Sequence, residues 1–361
     1  MEPTMSSIPQ ASRASFDFLA SLGAYGATSL FQEAQLYFDE HTTKAFPPTD
    51  YDQRLSAAQK ALATCGQYRY NRLIQRMTAE QWQPLIYKTR ERLRLEGVLP
   101  DRPPPVGGGT IELHPELELP AYFTSVTFHN QHRDMIYATT GPPAHPHAQK
   151  FLDRAGCAAV RPGNDLLEHR TRTAAQAPRD TYAHILDVGC GHGTWTAALQ
   201  TRFPGAKIHG IDLWPGALEA TRAVAAANGW HWTLKQAAGE ASGYPSDFFD
   251  LVTSFAVLHE VPVNAAEAIF GEMFRVLEPG GDLLFMDVPP YREISDFQLV
   301  LYDWETDHRA EPYWREEGRL DRGDMCRRIG FVDVQEYGIG EGGYPWILRA
   351  RKPLMKEEDP T

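Results

Sequence analysis

The 361-residue chain is predicted to be an α/β protein. Its C-terminal half reads as a seven-stranded, mostly parallel, doubly wound sheet, preceded by a helical N-terminal region. Three observations lead there. Beyond residue 180, short apolar runs alternate with segments of helical period, the pattern of a parallel sheet with crossover helices. A glycine-rich loop, Gly189-Cys190-Gly191-His192-Gly193, stands between the first such run and the first such helix. Before residue 100, apolar residues recur at helical spacing.

Taken in order, Phe16, Leu19, Leu22, Phe31, Ala34, Leu36 and Phe38 fit apolar helix faces, with Gly23 and Gly26 as interruptions. A second helical stretch covers 50–96, where Leu55, Ala58, Leu62, Tyr70, Leu73, Ile74 and Met77 fall near a 3.6-residue period. It ends at 99–109, where Pro103-Pro104-Pro105 and Gly107-Gly108-Gly109 cannot continue a helix and mark a linker or boundary. A second break lies at Arg161-Pro162-Gly163 and Ala177-Pro178-Arg179. The expected division is therefore 1–150, a helical region that caps the site or dimerises, and 151–355, the sheet domain, with 291–325 as an insertion over the substrate. Strands are predicted at 184–188, 207–213, 231–236, 249–254 and 281–287, with helices over 195–202, 215–228 and 265–277. The last two strands, 331–337 and 346–352, follow one another without a helix and are expected to pair antiparallel.

Lys and Arg number 35 against 47 Asp and Glu, a net charge of −12. That is a poor balance for neutralising a phosphate backbone, so a nucleic-acid partner is not expected. Residues 51–98 run against the trend, with nine basic and four acidic residues, read as a solvated helix face or a surface for an anionic partner. The four cysteines are scattered without a CxxC pair, which argues for a reducing compartment, taken as the cytoplasm, and against disulfides or structural zinc. No apolar run approaches the roughly 18 residues a spanning helix needs, and Met1–Gln10 has no secretory pattern.

Chemistry concentrates in Asp187-Val188-Gly189-Cys190-Gly191-His192-Gly193, between a strand and a helix. Its glycines let the backbone turn and approach a ligand, and the next helix offers free N–H groups at the positive end of its dipole. A dinucleotide site wants GxGxxG, yet here the third glycine comes one residue early, with Thr194 where a glycine is needed. Asp212, 19 residues after Gly193, suits the ribose of either kind of cofactor.

Further motifs narrow the reading. Asp187 lies two residues before the first glycine, Ile211-Asp212-Leu213 ends the second strand, Phe248-Phe249-Asp250-Leu251-Val252 opens the fourth, and Leu277-Glu278-Pro279-Gly280-Gly281 is a turn feeding the fifth. As an ordered set these resemble the class I S-adenosylmethionine-dependent methyltransferases, Rossmann-like enzymes, and within them the small-molecule branch typified by ubiquinone and menaquinone biosynthesis. The resemblance covers about 180–290 and, loosely, 330–352.

It implies S-adenosyl-L-methionine as cofactor. Asp187, Gly189, Cys190, Gly191 and Gly193 would hold its methionine part, Asp212 its ribose hydroxyls, and Leu213 and Trp214 its adenine, although Trp214 reads equally as packing at a helix start. Where the family often has an Asp for the adenine amino group, this chain has Ala238, leaving Glu240 or a backbone carbonyl for that place; Phe255 completes the set. The implied reaction is in-line methyl transfer to a small-molecule acceptor through O, S, N or C. No nucleic-acid or membrane partner is expected, and the helical region covers the site or forms a homodimer.

His259, just past the fourth strand, is a candidate general base or a capping residue. The polar–aromatic run around His129, Gln131, His132, Arg133 and Tyr137 is a candidate for substrate or catalytic contacts, or for a buried network between domains. His145 and His147 are weak as metal ligands, and no metal is expected. Asp287-Val288-Pro289-Pro290-Tyr291 resembles the motif of amino-methylating DNA enzymes but has Val288 at a key position and follows the wrong strand, so it is read as a turn into the insertion. Within that insertion, Tyr291 and Trp304 are expected to line an aromatic wall with Tyr302, Tyr313 and Trp314. A nicotinamide-dependent oxidoreductase, a methyltransferase acting on a macromolecule and a cofactor-binding regulator are the alternatives.

Overall fold

The computed structural model describes residues 10–42, 45–95, 106–126, 128 and 166–354. They pack as two compact units. Among the described residues, the helical unit holds 10–42, 45–95, 128, 166 and 291–311, and the sheet unit holds 106–126, 167–290 and 312–354. Thus 106–126, upstream of the division drawn at 150, belongs with the sheet, and 291–311, from the expected insertion, belongs with the helices.

In the helical unit, α1 (Gln10–Tyr25) runs through a π-helical turn at Gly26–Leu30 into α2 (Phe31–His41). The interruption expected at Gly26 is thus a widened turn, and Asn71 Nδ2 donates to the Gly26 carbonyl at 2.6 Å. The helical stretch expected over 50–96 divides into α3 (Tyr51–Leu62), capped by Asp50 accepting from Gln53 N–H, and α4 (Gly66–Leu95). Phe16, Leu19, Leu30, Ala34, Phe38, Leu62 and Ile74 are buried. The basic stretch has two fates. Arg76 pairs with Glu80 on an exposed face, whereas Arg54 is buried and clamps the chain around residue 294. Its Nε meets Asp296 Oδ1 at 2.6 Å, and its guanidinium donates to the carbonyls of Pro48, Tyr291 and Ile294.

The sheet unit is built from β1 (Gly109–Glu112), β2 (His184–Val188), β3 (Lys207–Asp212), β4 (Trp232–Gln236), β5 (Phe249–Phe255), β6 (Leu277–Asp287), β7 (Val332–Gly338) and β8 (Trp346–Arg351), ordered β1-β4-β3-β2-β5-β6-β8-β7. All pairs are parallel except β6–β8 and β8–β7. The expected seven strands become eight because the glycine run read as a boundary leads into β1. Gly109, at φ +102°, approaches β4 so closely that a Cβ would lie 1.8 Å from the Trp232 carbonyl oxygen, so only glycine permits this pairing. Helices α5 (Ala121–Thr124), α6 (Leu166–Ala174, beyond its first residue), α7 (Thr194–Arg202), α8 (Pro215–Ala227), α9 (Val263–Val276), α11 (Trp314–Glu317) and α12 (Arg322–Ile329) complete the unit, α10 (Asp296–His308) being helical-unit chain. One continuous core includes Leu186, Val188, Ile211, Val252, Ile269, Phe270, Met273, Leu283 and Phe285.

Register fixes the site. Val188 lies opposite Ile211 and Ser254, Asp212 opposite Gln236, and Phe255 opposite Met286. The carboxyl ends of β2 to β6 therefore finish at one edge, and strand order reverses beside β2, where doubly wound sheets hold ligands. No helix among the described residues is long and apolar enough to cross a membrane.

Candidate active site

The glycine loop leaves β2 with the N–H groups of Gly189 and Cys190 both donating to the Ile211 carbonyl, at 2.9 and 3.0 Å. Gly189, Gly191 and Gly193 have φ of +69°, +52° and +76°. A Cβ on Gly189 would stand 2.6 Å from Val257 Cγ2, so the turn excludes any side chain there. Gly193 caps α7 with no side chain bonded to the first turn. From α8, Thr221 Oγ1 donates to the Gly191 carbonyl at 2.8 Å. Cys190 contributes backbone to this turn. Its thiol packs where a Cβ on Gly210 would fall, and burial pushes its pKa well above the ordinary range.

Three carboxylates stand at or just beyond the carboxyl ends of β2, β3 and β4. Asp187 is fully buried; its Oδ2 accepts from Thr196 Oγ1 at 2.6 Å, while its Oδ1 has no partner among the described residues. Burial pushes its pKa up to about 7 against the Thr196 hydrogen bond, with Asp212 adding to the rise and Arg170 opposing it. Asp212 accepts the N–H of Gly191 at Oδ2 and of Trp214 at Oδ1, each at 2.9 Å. Burial raises its pKa while those N–H groups hold it back. Each of its oxygens keeps further lone-pair capacity. Glu240 accepts from the Tyr122 hydroxyl at 2.6 Å through Oε1, and its buried Oε2 has no partner among the described residues. Ala238 bridges to Ala241, turning the chain so that Glu240 follows β4. Leu213 accepts from Gln236 Nε2 through its carbonyl, the Trp214 ring lies 4.9 Å from Phe123, and Phe255 lies 5.2 Å from Trp195 with the Arg170 guanidinium 4.8 Å over it.

Past β5, Ala256 adopts φ +63° and the chain enters the turn Leu258–Glu260, which presents His259. His259 is 6% exposed, and its Nδ1 lies 2.6 Å from Asp287 Oδ1 at the end of β6. Asp287 also accepts the N–H of Leu258 at 2.8 Å and of Val288 at 2.7 Å. Burial works against its charge, but the attraction and hydrogen bond of His259, with Arg322, hold its carboxyl below the usual range. His259 Nε2 lies 3.8 Å from Glu260 Oε1, and the ring packs 5.3 Å from Trp314.

The eleven expected cofactor residues thus gather at the carboxyl ends of β2 to β5, with His259 beside them. Tyr291 is buried in the helical unit, 6.0 Å from Tyr51, and Trp304 lies there under the Arg72 guanidinium. His129, Gln131, His132, Arg133 and Tyr137 fall outside the described residues. Sequence reasoning passed over Asp287, taken as part of a turn, along with Thr196 and Tyr122. The readable signal for Asp287 was an acid ending the strand next to the one that precedes His259.

Donor-hungry acceptors set the chemistry of the loop. The Asp187 and Glu240 oxygens without partners, and the remaining capacity of Asp212, call for ligand N–H and O–H groups. S-adenosylmethionine carries such groups in its ammonium, ribose diol and adenine amine.

A family model described as a methyltransferase domain matches residues 185–281. A demethylmenaquinone methyltransferase of Thermus thermophilus is 34% identical over 125 residues, covering 34% of this chain and 56% of its own. One of the same name from Geobacillus stearothermophilus is 30% identical over 169 residues, covering 42% of this chain and 71% of its own. A trans-aconitate 2-methyltransferase of Paracidovorax citrulli is 30% identical over 177 residues, covering 49% and 61%. The chain spans little more than half the length of the first of these relatives. The nicotinamide alternative draws no support from them.

Proposed function

The chain belongs to the class I S-adenosylmethionine-dependent methyltransferases, and from that premise we propose that it transfers a methyl group to a small molecule whose nucleophile is a protonated oxygen. The relatives' names pair them with demethylmenaquinone and trans-aconitate, both small molecules, which supports the acceptor's size. The observation that carries the cofactor's place is the set of acceptors at the carboxyl ends of β2 to β4: the buried Asp187 and the half-buried Asp212 and Glu240.

When bound, S-adenosylmethionine supplies a methyl carbon made electrophilic by its positive sulfur. Asp187 takes the ammonium, Asp212 the ribose diol and Glu240 the adenine amine. Asp287 fixes the Nδ1 proton of His259 toward itself, so that Nε2 carries the lone pair that removes the acceptor's proton. Glu260, 3.8 Å from Nε2, steadies the imidazolium that results. An acceptor already anionic, such as a carboxylate, needs no base, so the His259–Asp287 pair favours a hydroxyl.

Calorimetric titration tests the cofactor. Micromolar binding of S-adenosylmethionine and S-adenosylhomocysteine is expected, weakened tenfold or more in Asp212→Ala, since losing hydrogen bonds to a charged group costs about 1.5–3 kcal/mol. Binding of NADH in their place overturns the reading. A screen of hydroxyl acceptors then tests the base: His259→Gln should lower turnover about 10²–10⁴-fold and leave cofactor affinity unchanged. Two finer points belong to the same proposal. The exposed face of Tyr70, Leu73 and Met77 on α4 supports pairing with a second copy, which a monomer in sedimentation equilibrium overturns. The buried free thiols Cys65, Cys190 and Cys326 support a cytoplasmic setting.

A further inference from the structure

We propose that Glu317 is a proton-holding group that sets the basicity of His259 through Arg322, whose charge Glu317 shares with Asp287. The inference rests on the His259 base assigned above and extends it to a residue that the methyl-transfer step does not touch.

Helix α11 brings two side chains to the pair: Trp314 packs on the His259 ring, and Glu317, 1% exposed, lies with Oε1 3.2 Å from Arg322 Nη1. Neither Glu317 oxygen accepts a hydrogen bond among the described residues. Arg322, also 1% exposed, starts α12 and donates through Nη2 to the Val288 carbonyl at 2.7 Å, one residue from Asp287. Its Nε lies 4.0 Å from Glu336 Oε1 on β7. Among the described residues, four charged or titratable groups act electrostatically on Glu317: Arg322 from α12, Asp287 from β6, His259 from the turn after β5, and Glu336 from β7.

Charge bookkeeping inside this buried cluster decides the protonation. With Asp287, Glu317 and Glu336 all ionised against Arg322, two negative charges remain uncompensated out of water, an arrangement that burial makes costly. A proton on Glu317 removes one, and an imidazolium at His259, which also has the partly exposed Glu260 3.8 Å from its Nε2, offsets the other. Consistent with this, burial lifts the Glu317 carboxyl to about 7, with Asp287 and Glu336 adding to the rise and Arg322 and His259 opposing it.

The coupling follows. While Glu317 is protonated, Arg322 acts undivided on Asp287, Asp287 holds the imidazolium less strongly, and His259 releases its proton more readily. As Glu317 ionises it competes for Arg322 and adds negative charge near the ring, so His259 keeps its proton longer. The two groups therefore titrate together over a broadened range.

Following the His259 Cε1–H resonance by NMR across pH in the full chain tests this, with the signal assigned by its absence in His259→Gln. Glu317→Gln, which fixes the neutral state at nearly constant shape, should lower the His259 midpoint by about half a pH unit, about threefold in proton affinity, and narrow the transition. Glu317→Asp, which keeps a titrating group, should retain the broad curve. A Glu317→Gln curve that coincides with wild type, or whose midpoint rises, overturns the proposal. A shifted curve together with full turnover in His259→Gln supports the network and removes only the base role assigned above.

Discussion

At Asp187, burial and ligand chemistry act in opposite directions. The folded chain holds the carboxyl proton up to about 7, against 3.8 for a free side chain, so the folded state binds a proton that the unfolded state releases. The stability linked to that proton is complete below about 3.8 and is lost as pH rises through about 7. Asp187→Asn, which cannot ionise, should therefore melt above wild type at pH 8, with the two curves meeting near pH 4. Thermal scans across pH read this directly, and a gap constant with pH contradicts the assignment. The same variant should bind S-adenosylmethionine more weakly, because it lacks the charge proposed above to pair with the ammonium. Spacing from the glycines was enough to locate Asp187 and Asp212 in sequence. What spacing does not carry is a side chain's partner. That both Asp212 oxygens brace Gly191 and Trp214, and that His259 leans on Asp287, became visible only when neighbouring strand ends were set side by side.

Among the elements, those with a strong local period were legible: β2 through β6, α7, α8 and α9 all lie close to their expected positions. The exceptions depend on contacts distant in sequence. Strand β1 is four residues long and owes its existence to β4, with Gly109 opposite Trp232. The 291–296 segment is held by Arg54, 242 residues from Asp296 in the chain. That clamp is itself testable. Removing Arg54 leaves the Tyr291 and Ile294 carbonyls buried without their donor and Asp296 without its cation. Arg54→Met should therefore cost about 2–5 kcal/mol in urea unfolding. Arg54→Lys should recover little of it, because one ammonium cannot fork to four acceptors. A loss under about 1 kcal/mol for Arg54→Met would mean that the segment is held by the packing of Phe297 on Phe31 and Phe38 instead.

For the molecule as a whole, the acceptor-rich site and the net charge of −12 bear on the same measurement. A ligand that binds only the folded chain, at a hundred times its Kd, stabilises it by about 2.7 kcal/mol. For a domain of some 150–250 residues that corresponds to about 5–10 °C in Tm. S-adenosylmethionine and S-adenosylhomocysteine should each produce such a shift. NADH at the same multiple of a micromolar constant should produce none, because its pyrophosphate would enter the proposed acceptor-rich site with the field of an acidic chain against it. Duplex DNA at low salt should likewise leave Tm unchanged, since an acidic chain offers few cations to release counterions from a phosphate backbone. A shift with NADH alone would move the glycine loop back to the dinucleotide reading that its strand-loop-helix setting first allowed. A shift with DNA that salt abolishes would instead keep the fold and reassign the acceptor to a macromolecule.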